Sequence, residues 1–334
     1  RRLRREAAAR PGVSAPRVLV TRRLPEAGLA PLREAGLDVD VHDADTAIPR
    51  DELLRRAAGA AALVTLMSER VDDELLDAAG PRLRVVANYA VGYDNVDVAA
   101  CAARGVAVTN TPDVLTDATA DLAFALLLAA ARRLVEGDAL VRSGTWTGWQ
   151  PGQLLGRQVS GRALGLVGLG RIGGAVARRA RGFGMRLAYH NRRRDEAAEA
   201  ELGAVYLPLD ELLATSDFVS LHVPLTPATR HLIGARELAL MKPTAVLVNT
   251  ARGPVVDEAA LVDALREGRL FAAGLDVFER EPEVHPGLPG LANVVLAPHV
   301  GSATVETRTA MALACSRAVV DVLQGRTPPN LVPA

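Results

Sequence analysis

The stretch that decides the fold is Gly165-Leu-Val-Gly-Leu-Gly-Arg-Ile-Gly173, which lies in the middle of a chain of 334 residues. A short apolar run, 163–167, leads into Gly168, Gly170 and Gly173, and an Ala/Arg-rich helical pattern follows. In such a strand–turn–helix context, the first glycine permits a tight turn and the second lets the backbone approach a pyrophosphate. The third lets the helix pack closely on the strand. We therefore predict a dinucleotide site here, preceded by enough residues for another domain.

Composition predicts a large globular protein and argues against several kinds of partner. The chain is 49% hydrophobic and has a formal net charge of zero, which argues against nucleic acid or an anionic membrane as a partner. Its two cysteines, Cys101 and Cys315, fit a reducing compartment, so we expect a cytoplasmic protein without disulfides. No apolar window reaches the roughly 18 residues of a membrane span. No Cys/His cluster has zinc spacing, so no metal is predicted.

The alternation of apolar runs and helical patterns predicts an α/β protein with two doubly wound parallel sheets, Rossmann- or flavodoxin-like. Continuous apolar strands between helices indicate sheets that are covered on both faces. The strand candidates of the first half are 17–21, 38–42, 61–66, 84–87 and 106–109. Those of the second half are 163–167, 186–190, 218–223, 245–249, 271–276 and 294–297.

Three further segments complete the layout. Residues 116–142 form one long helical pattern with Ala- and Leu-rich faces, which favours a homodimer interface. The irregular arm after it carries Trp146 and Trp149, which either reach a substrate pocket across a dimer or anchor the arm to its own surface. Residues 1–15 are basic and lack an apolar signal core, so we expect a disordered extension.

The turn after the second strand of the central sheet bears on coenzyme choice. NAD sites usually place Asp or Glu about 20 residues past the first glycine, where it accepts from the ribose 2′-OH. Here His190 stands 22 residues after Gly168, and Asn191, Arg192 and Arg193 follow it. Arginines bind a 2′-phosphate through charge-assisted hydrogen bonds, whereas an acid would repel it. The sequence therefore favours NADP(H), with NAD(H) possible. The alternative is a solvated turn in an arginine-rich protein.

Three segments with chemically reactive side chains follow later strands. They are Val248-Asn-Thr-Ala-Arg-Gly253, Gly274-Leu-Asp-Val-Phe-Glu-Arg-Glu-Pro282 and Leu296-Ala-Pro-His-Val-Gly-Ser302. The carboxyl ends of the strands of an open α/β sheet form its ligand crevice, so all three segments are predicted to meet there. The middle segment holds two acids, Glu279 and Glu281.

With these motifs the chain resembles the D-isomer-specific 2-hydroxyacid dehydrogenase family, and within it the glyoxylate/hydroxypyruvate reductases. The resemblance runs from about residue 17 to 333. Besides the glycine motif and the reactive segments, it rests on Asn88-Tyr-Ala-Val-Gly-Tyr-Asp-Asn-Val-Asp97, Asn110-Thr-Pro112, His222-Val-Pro-Leu-Thr226 and Pro329-Asn-Leu-Val332. It implies a substrate domain formed by residues 16–113 and 299–334. The NAD(P)-binding domain, 114–298, is inserted between them and includes the dimerisation helix and the arm.

The resemblance also implies catalytic roles that fit the residue chemistry. Arg252 would bind the substrate carboxylate, because a guanidinium is a bidentate match to it. His299 would be the acid/base, and Glu281, immediately before proline, would favour its protonated form. Backbone N–H groups near Val91 and Gly92 would bind the same carboxylate. The implied cofactor contacts are Thr119, Gly168, Gly170, Arg171, Ile172, Asn191, Arg192, Arg193, Pro224, Thr229, Thr250, Ala251, Asp276 and Gly301.

These observations predict a homodimeric, cytoplasmic reductase that transfers hydride from NADPH to glyoxylate or hydroxypyruvate, yielding the D-2-hydroxy acid. One alternative is an NAD-linked D-2-hydroxyacid dehydrogenase of other substrate range, such as 2-ketogluconate or a phosphoglycerate-like substrate. Another is a nicotinamide-sensing, corepressor-like interaction protein, which the set formed by Arg252, Glu281 and His299 argues against.

Overall fold

The computed structural model describes residues 15–333, so nearly all of the predicted N-terminal extension lies outside the described residues. The chain forms two compact units. Unit 1 comprises the residues up to Pro112 together with those from Arg308 onward, and unit 2 comprises Asp113–Thr307. Unit 2 thus divides unit 1 into two segments, which is the arrangement that the sequence predicts. Residues 299–301, which the prediction assigned to the substrate domain, lie in unit 2, where His299, Val300 and Gly301 are hydrogen-bonded to Asp276.

Unit 1 is built on a five-stranded parallel sheet. In chain order its elements are β1 (Arg17–Val20), α1 (Glu26–Glu34), β2 (Asp38–Val41), α2 (Arg50–Ala57), β3 (Ala62–Thr65), α3 (Asp73–Ala79), β4 (Val85–Asn88), α4 (Val98–Ala103) and β5 (Ala107–Thr109). The sheet order is β2-β1-β3-β4-β5, which is the flavodoxin-like order, and every pairing is parallel. Strands such as β3 and β4 are buried along their whole length, as their continuous apolar runs predict.

Unit 2 is built on a seven-stranded parallel sheet. Its elements are α5 (Thr116–Ala131), α6 (Leu134–Arg142), β6 (Ala163–Val167), α7 (Arg171–Gly182), β7 (Arg186–His190), α8 (Glu196–Leu202), β8 (Ala204–Tyr206), α9 (Leu209–Thr215), β9 (Phe218–Leu221), α10 (Ala235–Leu240), β10 (Val246–Asn249), a 3-10 turn (Gly253–Val255), α11 (Glu258–Arg266), β11 (Ala272–Leu275) and β12 (Val294–Leu296). The last helix, α12 (Val305–Leu323), belongs to unit 1 from Arg308 onward. Within residues 15–333, no helix combines the length and the apolar character needed to cross a bilayer.

The order of the second sheet places its switch point beside the glycine motif. The strands run β12-β11-β10-β9-β6-β7-β8, so the chain proceeds outward from β6 in one direction and then returns to start again at β9. In a Rossmann sheet the crevice between the two directions, at the carboxyl ends of the strands, is where a dinucleotide binds. The structure therefore puts the glycine turn after β6 where the sequence predicts it.

Two features of unit 2 differ from the predicted elements. The long helix predicted over 116–142 is two helices, because Arg133 adopts a left-handed conformation with φ of 53° and its guanidinium bonds to Glu136 at 2.6 and 2.9 Å. The two helices differ in their packing: α5 buries one face, whereas α6 buries none of its residues. The edge strand β8 was not predicted. It is three residues long, and Val205 at its centre is exposed.

Candidate active site

The glycine turn after β6 forms a backbone cradle that side chains would fill. Gly168 has φ of 100°, and a Cβ atom there would lie 2.7 Å from the carbonyl carbon of His222. A Cβ atom on Gly173 would overlap the carbonyl oxygen of Gly168. Gly170 precedes the first residue of α7, and a Cβ atom there would meet no atom within 4 Å. The cradle is therefore open toward the helix N-terminus, where unpaired backbone N–H groups suit a pyrophosphate.

Two residues at the end of β7 are fixed by hydrogen bonds. The side-chain oxygen of Asn191 accepts from the backbone N–H of Leu169 at 2.7 Å, which ties this turn to the glycine turn. Nδ1 of His190 lies 3.0 Å from the carbonyl oxygen of Leu207, and its ring stacks on Tyr206. Because a carbonyl only accepts, Nδ1 carries the proton and Nε2 is left for a ligand.

The arginines that follow differ in their availability. Arg194 donates to both carboxylate oxygens of Glu199, each at 2.7 Å. The hydrogen bonds from Arg194 and then from Tyr189 lower the pKa of Glu199 to about 2. Arg192 and Arg193 are exposed, and within residues 15–333 their side chains make no hydrogen bond or ion pair. Two of the three guanidinium groups thus remain available to an anion.

Asn249, the last residue of β10, shapes the loop that carries Arg252. Its side-chain amide donates to the carbonyl oxygen of Arg252 at 2.9 Å and accepts from the N–H of Ala251 at 3.0 Å. The half-buried Arg252 guanidinium donates from Nη1 to the carbonyl oxygen of Ala251 at 2.8 Å. Thr250 Oγ1 is buried and has no hydrogen-bond partner in the described part of the chain, so a polar group of a bound ligand could satisfy it.

The loops after β10 and β11 pack against each other without intervening side chains. A Cβ atom on Gly253 would overlap the backbone carbonyl of Phe278, so only glycine permits this approach. Glu258, at the start of α11, accepts from the N–H of Glu279 at 2.6 Å. Glu279 itself pairs through its carboxylate with His231 at 2.8 Å. These contacts fix the loop just ahead of Glu281, and they occupy the other acid of the segment.

Glu281 and His299 form the central pair of the site. His299 Nδ1 lies 2.6 Å from Glu281 Oε2, and the other carboxylate oxygen accepts from the N–H of Phe278 at 2.9 Å. Partial burial raises the pKa of Glu281. The hydrogen bond and charge of His299 act in the opposite direction and, with smaller contributions from Phe278 and Arg252, bring this pKa below its ordinary value. The carboxylate is therefore kept ionised beside the imidazole.

Asp276 holds the segment that carries His299. Its carbonyl oxygen accepts from the N–H of His299 at 2.9 Å, and its carboxylate accepts from Val300 and Gly301 at 2.7 and 2.8 Å. His299 takes a left-handed conformation with φ of 53°, which three consecutive bonds to one residue stabilise. Burial raises the pKa of Asp276, and the N–H groups of Val300 and Gly301 oppose that rise.

The remaining predicted contacts lie at the same edge of the sheet. Thr229 Oγ1 donates to the carbonyl oxygen of Pro224 at 2.6 Å, and Arg171, at the start of α7 before Ile172, pairs with Asp113 at 2.6 Å. The buried Thr119 lies beside Gly301, where an added Cβ atom would come within 3.4 Å of it. The predicted residues of unit 2 therefore gather at the carboxyl ends of the strands, or on the helices that adjoin them.

Val91 and Gly92 lie in the loop after β4 of unit 1, at the carboxyl edge of the five-stranded sheet. They are half-buried. Three residues that sequence reasoning did not single out also shape the sites: Asn249, Glu258 and His222. Glu258 and His222 contribute through a bond or a close contact with backbone remote in sequence, which no local pattern reports. Asn249 bonds within its own quoted segment, to Ala251 and Arg252, and the position of an amide at the end of an apolar strand is the signal that could have identified it.

Comparisons with known proteins show the family and agree with the fold. Residues 124–301 match the family described as D-isomer specific 2-hydroxyacid dehydrogenase, NAD binding domain. A glyoxylate reductase of Thermococcus onnurineus is 56% identical over 321 residues, covering 95% of this chain and 96% of that one. The crystal structure of TT0316 protein from Thermus thermophilus superposes with a TM-score of 0.90 at 51% identity, covering 95% of this chain and 100% of that one.

A third relative was solved with ligands. It is an NADPH-dependent glyoxylate/hydroxypyruvate reductase from Sinorhizobium meliloti, in complex with NADP and malonate. It is 41% identical, with a TM-score of 0.79 and 93% of each chain covered.

The Rossmann sheet, the glycine cradle and the Glu281–His299 pair define an NAD(P)-dependent oxidoreductase. The chain belongs to the D-isomer specific 2-hydroxyacid dehydrogenase family, in which it is similar to glyoxylate reductases. It is thus an NAD(P)-dependent dehydrogenase of the 2-hydroxyacid class.

Proposed function

We propose that this enzyme reduces glyoxylate or hydroxypyruvate to glycolate or D-glycerate, with NADPH as the preferred coenzyme. The observation that carries the proposal is the 2.6 Å contact between His299 and Glu281, at the sheet edge that also bears the Arg252 loop. Reduction of a 2-keto acid requires a group that binds the substrate carboxylate and a charged imidazole that donates the proton. The names of the relatives support the substrate class.

The proposed roles follow from the chemistry of each group. Reduction adds a hydride to the keto carbon and a proton to the keto oxygen. A bound reduced nicotinamide would supply the hydride. His299 would donate the proton, and the Glu281 carboxylate would stabilise the imidazolium beforehand. Arg252 and the N–H groups of Val91 and Gly92 would bind the substrate carboxylate and orient the keto group.

The residues present fit a nicotinamide dinucleotide. The open cradle around Gly170 would hold the pyrophosphate, and the orphaned Thr250 hydroxyl is available to a polar group of the cofactor. The preference for NADPH rests on the exposed, unpaired Arg192 and Arg193 beside His190, since this turn has no acid where NAD enzymes place one. The single NADP complex among the named relatives supports it.

Initial rates test both parts of the proposal. Glyoxylate, hydroxypyruvate, pyruvate and 2-ketogluconate are compared with NADPH and with NADH, at matched concentrations. We expect the highest kcat/KM for glyoxylate or hydroxypyruvate with NADPH. Equal or higher rates with NADH would contradict the coenzyme preference, and a clear preference for 2-ketogluconate would contradict the substrate.

The surface of α6 and the arm supports a homodimer. Several large apolar side chains are exposed there, although a monomer would gain stability by burying them: Leu134, Val135, Val141, Trp146, Trp149 and Leu155. We expect the enzyme to sediment as a dimer and the variant Val135→Glu/Val141→Glu to shift it toward monomer. A monomeric wild-type enzyme at micromolar concentration would contradict this part of the proposal.

A further inference from the structure

We propose that Asn88 and Asn110 are positioning residues that hold the Val91–Gly92 backbone as a carboxylate-binding pair. The inference rests on the proposed function, in which these two N–H groups bind the substrate carboxylate. It assigns a role to two side chains that do not themselves touch the substrate.

The carbonyl groups of three consecutive residues are all bound from within unit 1. The carbonyl oxygen of Ala90 accepts from the N–H of Thr111 at 2.9 Å. That of Val91 accepts from Nδ2 of Asn110 at 2.8 Å, and that of Gly92 accepts from Nδ2 of Asn88 at 2.9 Å. An N–H group lies in the same peptide plane as the preceding carbonyl, on the opposite side. Holding the carbonyls of Ala90 and Val91 therefore fixes the direction of the N–H groups of Val91 and Gly92. The bond from Asn88 to the carbonyl oxygen of Gly92 holds the far end of the same backbone in place.

The N–H groups of Val91 and Gly92 are available to a ligand. Within residues 15–333 neither donates to a backbone or side-chain acceptor, while the N–H of Ala90 is used by the carbonyl oxygen of Asn88 at 2.8 Å. Both residues are half-buried. Two adjacent N–H donors without an acceptor, on a backbone whose carbonyls are all held, form a concavity suited to an anion.

The Asn88 side chain is itself held in place by hydrogen bonds to a neighbouring amide, that of Asn95. Asn88 is fully buried, and its Oδ1 accepts from Nδ2 of Asn95 at 3.2 Å. Asn95 also donates to the carbonyl oxygens of Leu66 and Glu69, at 3.0 and 2.9 Å. The loop after β3 and the loop after β4 are thereby joined through two amides. This network therefore helps to hold the pair of N–H groups in place.

The chain offers a matched control for the test. Asn110 donates to Val91, whereas Asn330 donates to the carbonyl oxygen of Asn110 at 2.5 Å and makes no bond to the Val91–Gly92 loop. Asn110→Ala and Asn330→Ala each delete one side-chain amide that donates to a backbone carbonyl, on two segments that are hydrogen-bonded to each other. Only the first deletion releases a carbonyl of the anion-binding loop. Asn110→Gln restores an amide donor.

The experiment measures oxalate binding to the NADPH-bound enzyme by calorimetry, together with KM and kcat for glyoxylate. We expect Asn110→Ala to raise the oxalate Kd and the glyoxylate KM about tenfold, as for the loss of one oriented hydrogen bond to a charged group. We expect kcat and the KM for NADPH to change less than threefold, Asn330→Ala to behave as wild type, and Asn110→Gln to recover part of the affinity.

Other outcomes would overturn the inference. One is equal effects of Asn110→Ala and Asn330→Ala, and another is a fall in kcat with unchanged oxalate Kd. Failure of the proposed function looks different, because a wild-type enzyme inactive with every 2-keto acid would still report the oxalate Kd of each variant. Oxalate that does not bind the wild-type enzyme would also overturn the inference.

Discussion

His299 and Glu281 are joined through Nδ1 and Oε2 at 2.6 Å, although 18 residues separate them in sequence. The contact engages one ring nitrogen and leaves Nε2 to exchange a proton with a substrate. His299→Ala should therefore lower kcat for glyoxylate by about 10²–10⁴-fold, the usual contribution of a general acid. The Kd for NADPH, measured by nucleotide fluorescence, should stay within a few-fold of wild type. Near-normal turnover in this variant would exclude His299 as the acid.

Replacement of Glu281 should lower the rate of reduction. The lowered pKa of Glu281 means that this carboxylate is ionised at neutral pH, where it accepts from His299 at 2.6 Å. Glu281→Gln keeps the shape of the side chain but removes its charge. We expect kcat/KM for glyoxylate to fall at least tenfold at pH 7, because the charge beside the acid/base is lost, while the Kd for NADPH stays within a few-fold of wild type. Wild-type kcat/KM in this variant would contradict a role for the carboxylate.

Much of this site follows from local patterns. Gly168 predicts a tight turn and Gly173 predicts a close packing contact, and glycine alone permits either one. Both features are present in the structure. The reactive segments follow apolar strands, so parallel-sheet topology brings them to one edge. The features that could not be predicted depend on contacts remote in sequence. Glu258 bonds to the N–H of Glu279, 21 residues away, and nothing in its own segment indicates that partner.

The break between α5 and α6 has another cause. Residues 116–142 have a continuous helical pattern, and helix propensity does not distinguish one helix from two in such a stretch. The break is made by a single residue, Arg133, in a left-handed conformation that an arginine rarely adopts. Its pairing with Glu136 is visible only once the turn exists. The edge strand β8 was missed because three residues carry too little periodicity.

Removing two exposed arginines should change coenzyme preference without affecting chemistry. Arg192→Ala/Arg193→Ala deletes the guanidinium groups that have no side-chain partner within residues 15–333. We expect kcat/KM with NADPH to fall about tenfold or more, and kcat/KM with NADH to stay within about twofold. Arg194→Ala is the matched control, because Glu199 already binds that side chain. A parallel fall with both coenzymes would contradict a role in recognition of the 2′-phosphate.

A methyl group at Gly253 should disturb both catalytic loops at once. Its Cβ atom would overlap the backbone of Phe278, which cannot move aside as a flexible side chain could. Gly253→Ala should cost about 1–3 kcal/mol of unfolding free energy and lower kcat, because the loops bearing Arg252 and Glu281 must separate. Gly290→Ala, where a Cβ atom meets nothing within 4 Å, should be close to wild type in both measurements. Equal stability of the two variants would refute the packing argument.

Burial of His222 should make the stability of the enzyme pH-dependent below neutrality. Burial lowers the pKa of His222 to about 4, and the ring bonds to Ser220 Oγ at 2.9 Å. In the unfolded chain a histidine has a pKa near 6.5. Between these values the unfolded state binds more protons, so stability is full above about pH 6.5 and falls as the pH drops toward 4. The expected loss from pH 7 to pH 5 is about 2 kcal/mol from this residue.

Urea unfolding followed by circular dichroism at pH 7 and pH 5 measures this loss. His222→Gln should reduce the difference between the two pH values by about 2 kcal/mol, because it removes the group that the unfolded state protonates. His222 also contacts the glycine turn through its backbone, and the substitution leaves that contact in place. If His222→Gln lost as much stability on acidification as wild type, the neutral state assigned to this imidazole in the folded enzyme would be wrong.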